Sequence, residues 1–192
     1  HVPGHEIAGE VVETGKGVRH IKTGDRGVAY FLLGCGHCEM CLSGRENLCF
    51  NLERLGFEHP GGYGEYVRLP ARNLALFSSS VPYEKMAVLP DAVATPFHVF
   101  NTLTDLGPGR SVLIVGAGGL GLSAVQIART MGLRVFVADI KKEALELAEK
   151  HGAERVFDAD ADDERERLCE DIREAAGGNG VDMVLEGVGR RE

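Results

Sequence analysis

Residues 111–139 read SVLIVGAGGLGLSAVQIARTMGLRVFVAD, and the order of residue types in them decides the fold. Val112 to Val115 is a short apolar run, the composition of a buried strand. Gly116, Gly118 and Gly121 then complete a GxGxxG. An amphipathic run from about Leu120 to Met131 fits one helix, and a second apolar run, Leu133 to Ala138, ends at Asp139. A lone GxGxxG is common in plain loops. Strand, glycine turn, helix, strand and acid in that order form the dinucleotide-binding unit. Gly116 turns the chain off the strand, Gly118 puts no side chain before the pyrophosphate, and Gly121 lets the helix approach the sheet. The phosphates are expected on unpaired N–H groups at the helix start. Asp139 lies 139 − 121 = 18 residues past the last glycine. Its carboxylate accepts from a ribose 2′-hydroxyl and repels a 2′-phosphate. NAD is therefore favoured over NADP, with Lys141 and Lys142 left as charges that suit a phosphate.

The rest of the second half continues the alternation. Helix is expected over Lys142 to His151, strand over Arg155 to Phe157, a highly charged helix over Asp163 to Ala176, and a fourth strand over Val181 to Leu185. The acids before that charged helix suit the positive end of its dipole. Cys169 on the same helix reads as a partly buried thiol without a role.

The chain has 192 residues, enough for one large or two small domains, and 44% of them are hydrophobic, which supports a real core. Net charge is 21 − 29 = −8. That balance argues against nucleic acid or a membrane surface as general partner, though not against a local basic site. No apolar run is long enough to span a bilayer, and no secretory signal is visible, so the expected location is cytoplasmic. Residue 1 already lies inside a motif, HVPGHE, and a doubly wound sheet normally continues past a fourth strand. The expectation is a piece of a longer chain.

The first half reads differently. Ile7 to Val12 and Val28 to Leu33 are strand-like, Gly61 to Leu69 reads as a turn into another strand, and the short spacing suggests a small barrel-like β domain. Tyr63, Tyr66 and Val67 are read as core packing. Tyr83 to Leu89 is expected as a short helix and Thr95 to Leu106 as another, with Thr95 as its N-cap and Pro96 at its first position. The expected division is a β domain over 1–82, linking helices over 83–106 and a dinucleotide-binding domain over 107–192.

Within the β domain, residues 34–51 hold Cys35, Cys38, Cys41 and Cys49, spaced x₂, x₂ and x₇. Four soft ligands at this spacing can wrap one tetrahedral zinc. Disulfides are disfavoured in a cytoplasmic chain, and an iron–sulfur cluster is the alternative metal group. With four thiolates bound, no open position remains, so such a metal is structural. His5 and Glu6 mean little by themselves, and Asp91 in LPDAVAT reads equally as a helix cap.

The chain resembles the zinc-dependent alcohol dehydrogenases of the medium-chain dehydrogenase/reductase family. The resemblance rests on GHEIAGEVVETG (4–15), GDR (24–26), the cysteine lobe, GGYGEYV (61–67), VGAGGLG (115–121) and VDMVLEGVG (181–189). It implies a GroES-like β domain followed by a Rossmann parallel sheet, both incomplete here. It also implies a catalytic zinc on His5, with Glu6 beside it as an exchanging ligand and Asp91 as a further ligand, and a structural zinc on the four cysteines. By the same likeness Thr95 stands near the nicotinamide, Gly116, Gly118, Leu120, Gly121 and Asp139 contact the coenzyme, and Val188 and Gly189 line its cleft.

The family's remaining zinc cysteine and its proton-relay hydroxyl lie upstream of GHE and are absent from these residues. Gly27 departs from the β-branched residue usual after GDR, and Ala144 replaces a lysine common five residues beyond the ribose acid. The implied chemistry is hydride transfer between an alcohol, or its aldehyde or ketone, and NAD, in a homo-oligomer when full length. Two rivals remain at this stage: a quinone or enone reductase without zinc at its active site, and a non-enzymatic NAD-binding protein. Phe97 and His98 read equally as pocket or core.

Overall fold

Four parallel strands stand in the order β8-β7-β6-β9, where β6 is Ser111–Val115, β7 Arg134–Asp139, β8 Arg155–Asp158 and β9 Met183–Glu186. The coordinates are a computed structural model that describes residues 1–77, 80–160 and 165–189. By its internal contacts the chain divides into two units, His1–Asp91 and Ala92–Glu192.

In the second unit, β6 pairs with β7 from Ser111↔Arg134 to Val115↔Ala138, and with β9 from Val112↔Met183 to Val115↔Glu186. Side chains alternate across these strands. Val112, Ile114, Val135 and Val137 face one core with Ala124, Val125 and Ala128 of α4 (Gly119–Thr130) and Leu145 and Ala148 of α5 (Lys142–Lys150). Leu113, Phe136 and Ala138 face the other, with Phe157 and with Ile172 of α6 (Arg165–Ala175). Both faces of the sheet are thus covered, which is why its strands read as continuous apolar runs. The expected start of α6 at Asp163 lies outside the described residues, and Cys169 on this helix is exposed rather than partly buried.

Outside the ladder, β6 and β9 are locked by Asp182. Its Oδ2 accepts the Ser111 N–H at 2.8 Å and the Ser111 hydroxyl at 2.7 Å, and its Oδ1 accepts from Arg110 at 2.8 Å.

In the first unit, β1 (Ala8–Glu10) pairs antiparallel with β2 (Arg26–Ala29), and β2 with β5 (Leu74–Leu76). A separate two-stranded pair joins β3 (Leu32–Leu33) to β4 (Glu53–Arg54). The expected strand from Val28 to Leu33 is therefore broken at Tyr30 and Phe31. The cause is the buried Asn73. Its Nδ2 donates to the carbonyls of Tyr30 and Leu32, both at 2.8 Å, and its own carbonyl accepts the Tyr30 N–H at 2.7 Å. A side chain here replaces ladder partners.

Gly61 to Leu69 carries no strand, contrary to expectation. The N–H groups of Gly61, Gly62 and Tyr63 donate to the carbonyls of Val2, Gly4 and Pro3 instead. A Cβ on Gly61 would lie 2.0 Å from the Gly4 oxygen, so this approach needs glycine. Tyr63 and Tyr66 are 78% and 75% exposed and are not core residues.

Helical backbone runs without interruption from Leu89 to Leu103, as a π turn Leu89–Val93, then α3 (Ala94–His98), then a second π turn Val99–Leu103. Thr95 is thus not an N-cap. It is the second residue of α3, which continues from Val93 in helical conformation. Pro96 sits inside this run, not at its start. Proline lacks an N–H and crowds the preceding turn, and wide i→i+5 turns are a known accommodation. Pro96 and Phe100 are buried, whereas Phe97 and His98 are exposed. Upstream, α2 (Tyr83–Ala87) belongs to the first unit.

Candidate functional site

The four cysteines converge because a tight loop brings them together. Cys35 follows β3, Cys38 precedes and Cys41 lies within the short helix α1 (Glu39–Leu42), and Cys49 closes a 3₁₀ turn over Glu46–Leu48. Gly36 and Gly44, with φ of 81° and 74°, make the left-handed turns between them. Sulfur separations are 3.9 Å for Cys35–Cys41, 3.6 Å for Cys38–Cys41 and 3.8 Å for Cys38–Cys49. All four ligand atoms lie within 4.8 Å of one another. Tetrahedral zinc–thiolate bonds of about 2.3 Å require sulfurs about 3.8 Å apart. The lobe therefore fits one metal ion, and its four cysteines are free thiols.

Hydrogen bonds already prepare the sulfurs for negative charge. Cys49 Sγ accepts the N–H groups of Cys35 and Asn51, each at 3.3 Å. Backbone N–H groups at Cys41 and Phe50 bring the Cys38 thiol down to about 6. That of His37 lowers Cys35. Burial instead pushes Cys41 up to about 12, a cost that the charge of a bound metal ion would offset.

The glycine turn is built as its sequence implies. Gly116 has φ 94°, and a Cβ there would meet the side chain of Val188 at 2.8 Å. A Cβ on Gly121 would lie 1.9 Å from the Gly116 oxygen, whereas one on Gly118 would meet nothing within 4 Å. Gly121 is thus required by packing, and Gly118 leaves space at the start of α4. That helix start has no side-chain cap, and Leu120 in its first turn is 39% exposed. Asp139 Oδ2 accepts the Ala117 N–H at 2.6 Å and Oδ1 the Lys141 N–H at 2.8 Å. Each oxygen keeps a second lone pair for a further donor. Beyond β9, the N–H groups of Val188 and Gly189 donate to Glu186 Oε1 at 2.7 and 2.9 Å, which shapes the turn carrying both residues.

His5 and Asp91 are brought together within the first unit. Nε2 of His5 lies 2.9 Å from Asp91 Oδ2 across 86 residues of sequence, with the side chains 31% and 27% exposed. Zinc held by nitrogen and oxygen at about 2.0–2.1 Å sets neighbouring ligands about 3.3 Å apart, so this pair fits two corners of such a site. Glu6 is exposed, and among the described residues it forms no three-ligand group with His5 and Asp91. Thr95, in the second unit, is exposed.

Two residues that sequence reading passed over surround His5. The rings of Phe31 and Phe57 stand 4.9 and 5.2 Å from the imidazole, centre to centre. No sequence signal marks them, because they lie 31 − 5 = 26 and 57 − 5 = 52 residues away.

A β unit with a four-cysteine lobe and a parallel-sheet unit with a GxGxxG turn are the two parts that comparison with known proteins matches. Residues 1–79 match the family model of the alcohol dehydrogenase GroES-like domain, and residues 119–192 match that of the zinc-binding dehydrogenases. The chain belongs to the medium-chain dehydrogenase/reductase family, the family of NAD(P)-dependent alcohol dehydrogenases.

An alcohol dehydrogenase of Geobacillus stearothermophilus is 40% identical over 172 residues, 89% of this chain and 51% of that protein. An L-threonine 3-dehydrogenase of Streptomyces coelicolor is 40% identical over 193 residues, 100% of this chain and 54% of that protein. Among solved structures, an NAD-dependent alcohol dehydrogenase superposes with a TM-score of 0.90 at 33% identity, covering 98% of this chain and 54% of that one. The chain spans about half the length of these relatives. Among the described residues no helix is long and apolar enough to cross a membrane.

Proposed function

We propose that the protein carrying this chain transfers hydride between an alcohol, or its aldehyde or ketone, and NAD, with a zinc ion at His5 and Asp91. The observation that carries the reading is the 2.9 Å approach of His5 Nε2 to Asp91 Oδ2. A motif histidine thus meets an acid 86 positions later, with both side chains partly open to solvent. When bound, zinc supplies Lewis-acid polarisation of the alcohol oxygen, and NAD supplies the hydride acceptor.

The chain's own residues hold these groups. His5 offers an imidazole nitrogen and Asp91 a carboxylate oxygen, while Glu6 stands next in sequence as an exchanging ligand. The start of α4 at Gly118, Leu120 and Gly121 takes the pyrophosphate, and Asp139 takes the adenosine ribose, which favours NAD over NADP. Thr95 is assigned to the nicotinamide, and Val188 and Gly189 to the lining of the coenzyme cleft. A second zinc on Cys35, Cys38, Cys41 and Cys49 is structural, since four thiolates leave no position for substrate. Thiolates kept reduced suit a cytoplasmic setting, and the working form is a homo-oligomer.

The test is His5→Ala and Asp91→Ala, read by metal content, coenzyme affinity and turnover. Zinc is expected to fall from two ions to one per chain and alcohol-dependent NAD reduction to vanish, with NAD affinity unchanged. Two zincs retained together with normal turnover would remove both residues from the site.

A further inference from the structure

Resting on the four-cysteine lobe as a metal centre, we infer that Arg72 is its countercharge, acting through the Gly34–Cys35 peptide on the Cys49 thiolate. Arg72 Nη2 donates to the Gly34 carbonyl oxygen across 38 residues of sequence. The Cys35 N–H, which donates to Cys49 Sγ at 3.3 Å, belongs to that same peptide unit. A planar trans amide carries its oxygen and its N–H on opposite sides. Cation, carbonyl, N–H and sulfur therefore follow one another, each positive end facing a negative one.

The lobe cannot balance its own charge. Four thiolates around a divalent ion leave about two negative charges. Residues 34–51 add Glu39 and Glu46 against a single cation, Arg45, whose Nε donates to the Ser43 hydroxyl at 3.2 Å. Compensation has to come from outside the lobe. The Arg72 guanidinium supplies it against the lobe backbone: a Cβ on Gly36, between Cys35 and Cys38, would stand 3.9 Å from its central carbon.

Arg72 is placed for this task by its neighbour. Both sit in a 3₁₀ turn over Ala71–Asn73. The buried Asn73 donates to the Tyr30 and Leu32 carbonyls, while Arg72 donates to that of Gly34. One turn thus fixes the backbone entering β3 and the peptide leaving it. A charged donor at one end of an amide strengthens the bond made by the other end, by about 10–30%. Cys49 then accepts a stronger N–H bond, and hydrogen bonds to a ligand raise metal affinity. A guanidinium has no lone pair to offer a metal, so Arg72 is a positioning residue.

The test uses the protein carrying this chain in a His5→Ala background, which leaves the lobe as the metal site under study. Cobalt(II) replaces zinc, and its thiolate charge-transfer bands report the electron density on sulfur. Zinc affinity is measured by chelator competition at fixed pH. In Arg72→Met the lobe's zinc Kd is expected to rise about tenfold, and the bands to move to longer wavelength as the sulfur electrons lose stabilisation. Arg72→Lys restores the charge and should recover part of both. Arg45→Met removes the same charge without touching the peptide and should leave the bands in place. Arg72 is exposed, so its variants should fold with the metal-free Tm of the parent.

Unchanged bands in Arg72→Met, with or without weaker zinc binding, would overturn the inference, as would an equal shift in Arg45→Met. Either result leaves the lobe a metal centre. Cobalt bound without thiolate bands when Arg72 is present would overturn the metal reading of the lobe as well.

Discussion

Asp139 Oδ2 accepts the backbone N–H of Ala117 at 2.6 Å, so the acid that ends β7 also holds the glycine turn that ends β6. One carboxylate thus shapes the turn and, in the proposed coenzyme complex, would also meet the ribose. Replacement of Asp139 by alanine is expected to weaken NAD binding by about 1.5–3 kcal/mol, the range for hydrogen bonds to a charged group. NADP affinity should fall less, since a repulsive charge is removed with the contact. Calorimetric titration with both coenzymes checks the difference.

Gly121 and Gly118 are expected to respond differently to the same methyl group. At Gly121 the added carbon collides with the Gly116 carbonyl, and Gly121→Ala should cost about 1–3 kcal/mol or prevent folding. At Gly118 it meets open space, so Gly118→Ala should fold with an unchanged Tm and bind NAD more weakly. Thermal melts and coenzyme titrations of the two variants decide this.

Removal of the lobe's metal is expected to loosen residues 34–51 and lower Tm by roughly 5–10 °C. Cys38→Ser should do the same, and the variant should hold one zinc fewer per chain. A melt without and with added zinc, alongside metal analysis, measures both effects.

Asp182 gives a pH dependence with a definite sign. The Ser111 hydroxyl, then the Ser111 N–H, then Arg110, hold its carboxyl below the usual carboxylate range. A folded value below the unfolded one means stabilisation that is present above the unfolded value of about 3.9 and lost as pH falls through the folded value. Tm of the parent should therefore drop on acidification below about pH 4 more steeply than that of Asp182→Asn. The variant should start from a lower Tm at neutral pH. Melts from pH 7 to pH 3 provide the comparison.

The second unit was legible because its signals are local. Strands buried on both faces appear as apolar runs, and GxGxxG with its acid falls within one βαβ stretch. The cysteine lobe was legible for the same reason, its ligands lying within one loop. The first unit was harder to read. Its strands are short, Asn73 interrupts one of them from 43 residues away, and the tyrosines of GGYGEYV look like core but face water. Thr95 has the residue type and the following proline of a helix start, yet the chain is already helical when it arrives.

Residue order alone thus determined the doubly wound half, the glycine turn and the four-thiol lobe, because each is written within a few tens of consecutive positions by periodicity or ligand spacing. Tertiary structure alone decided which acid meets His5, which rings surround it, and which strand Asp182 holds to Ser111. Those contacts join residues 26 to 86 positions apart. At such separations no pattern in the chain records a distance, and packing sets the geometry.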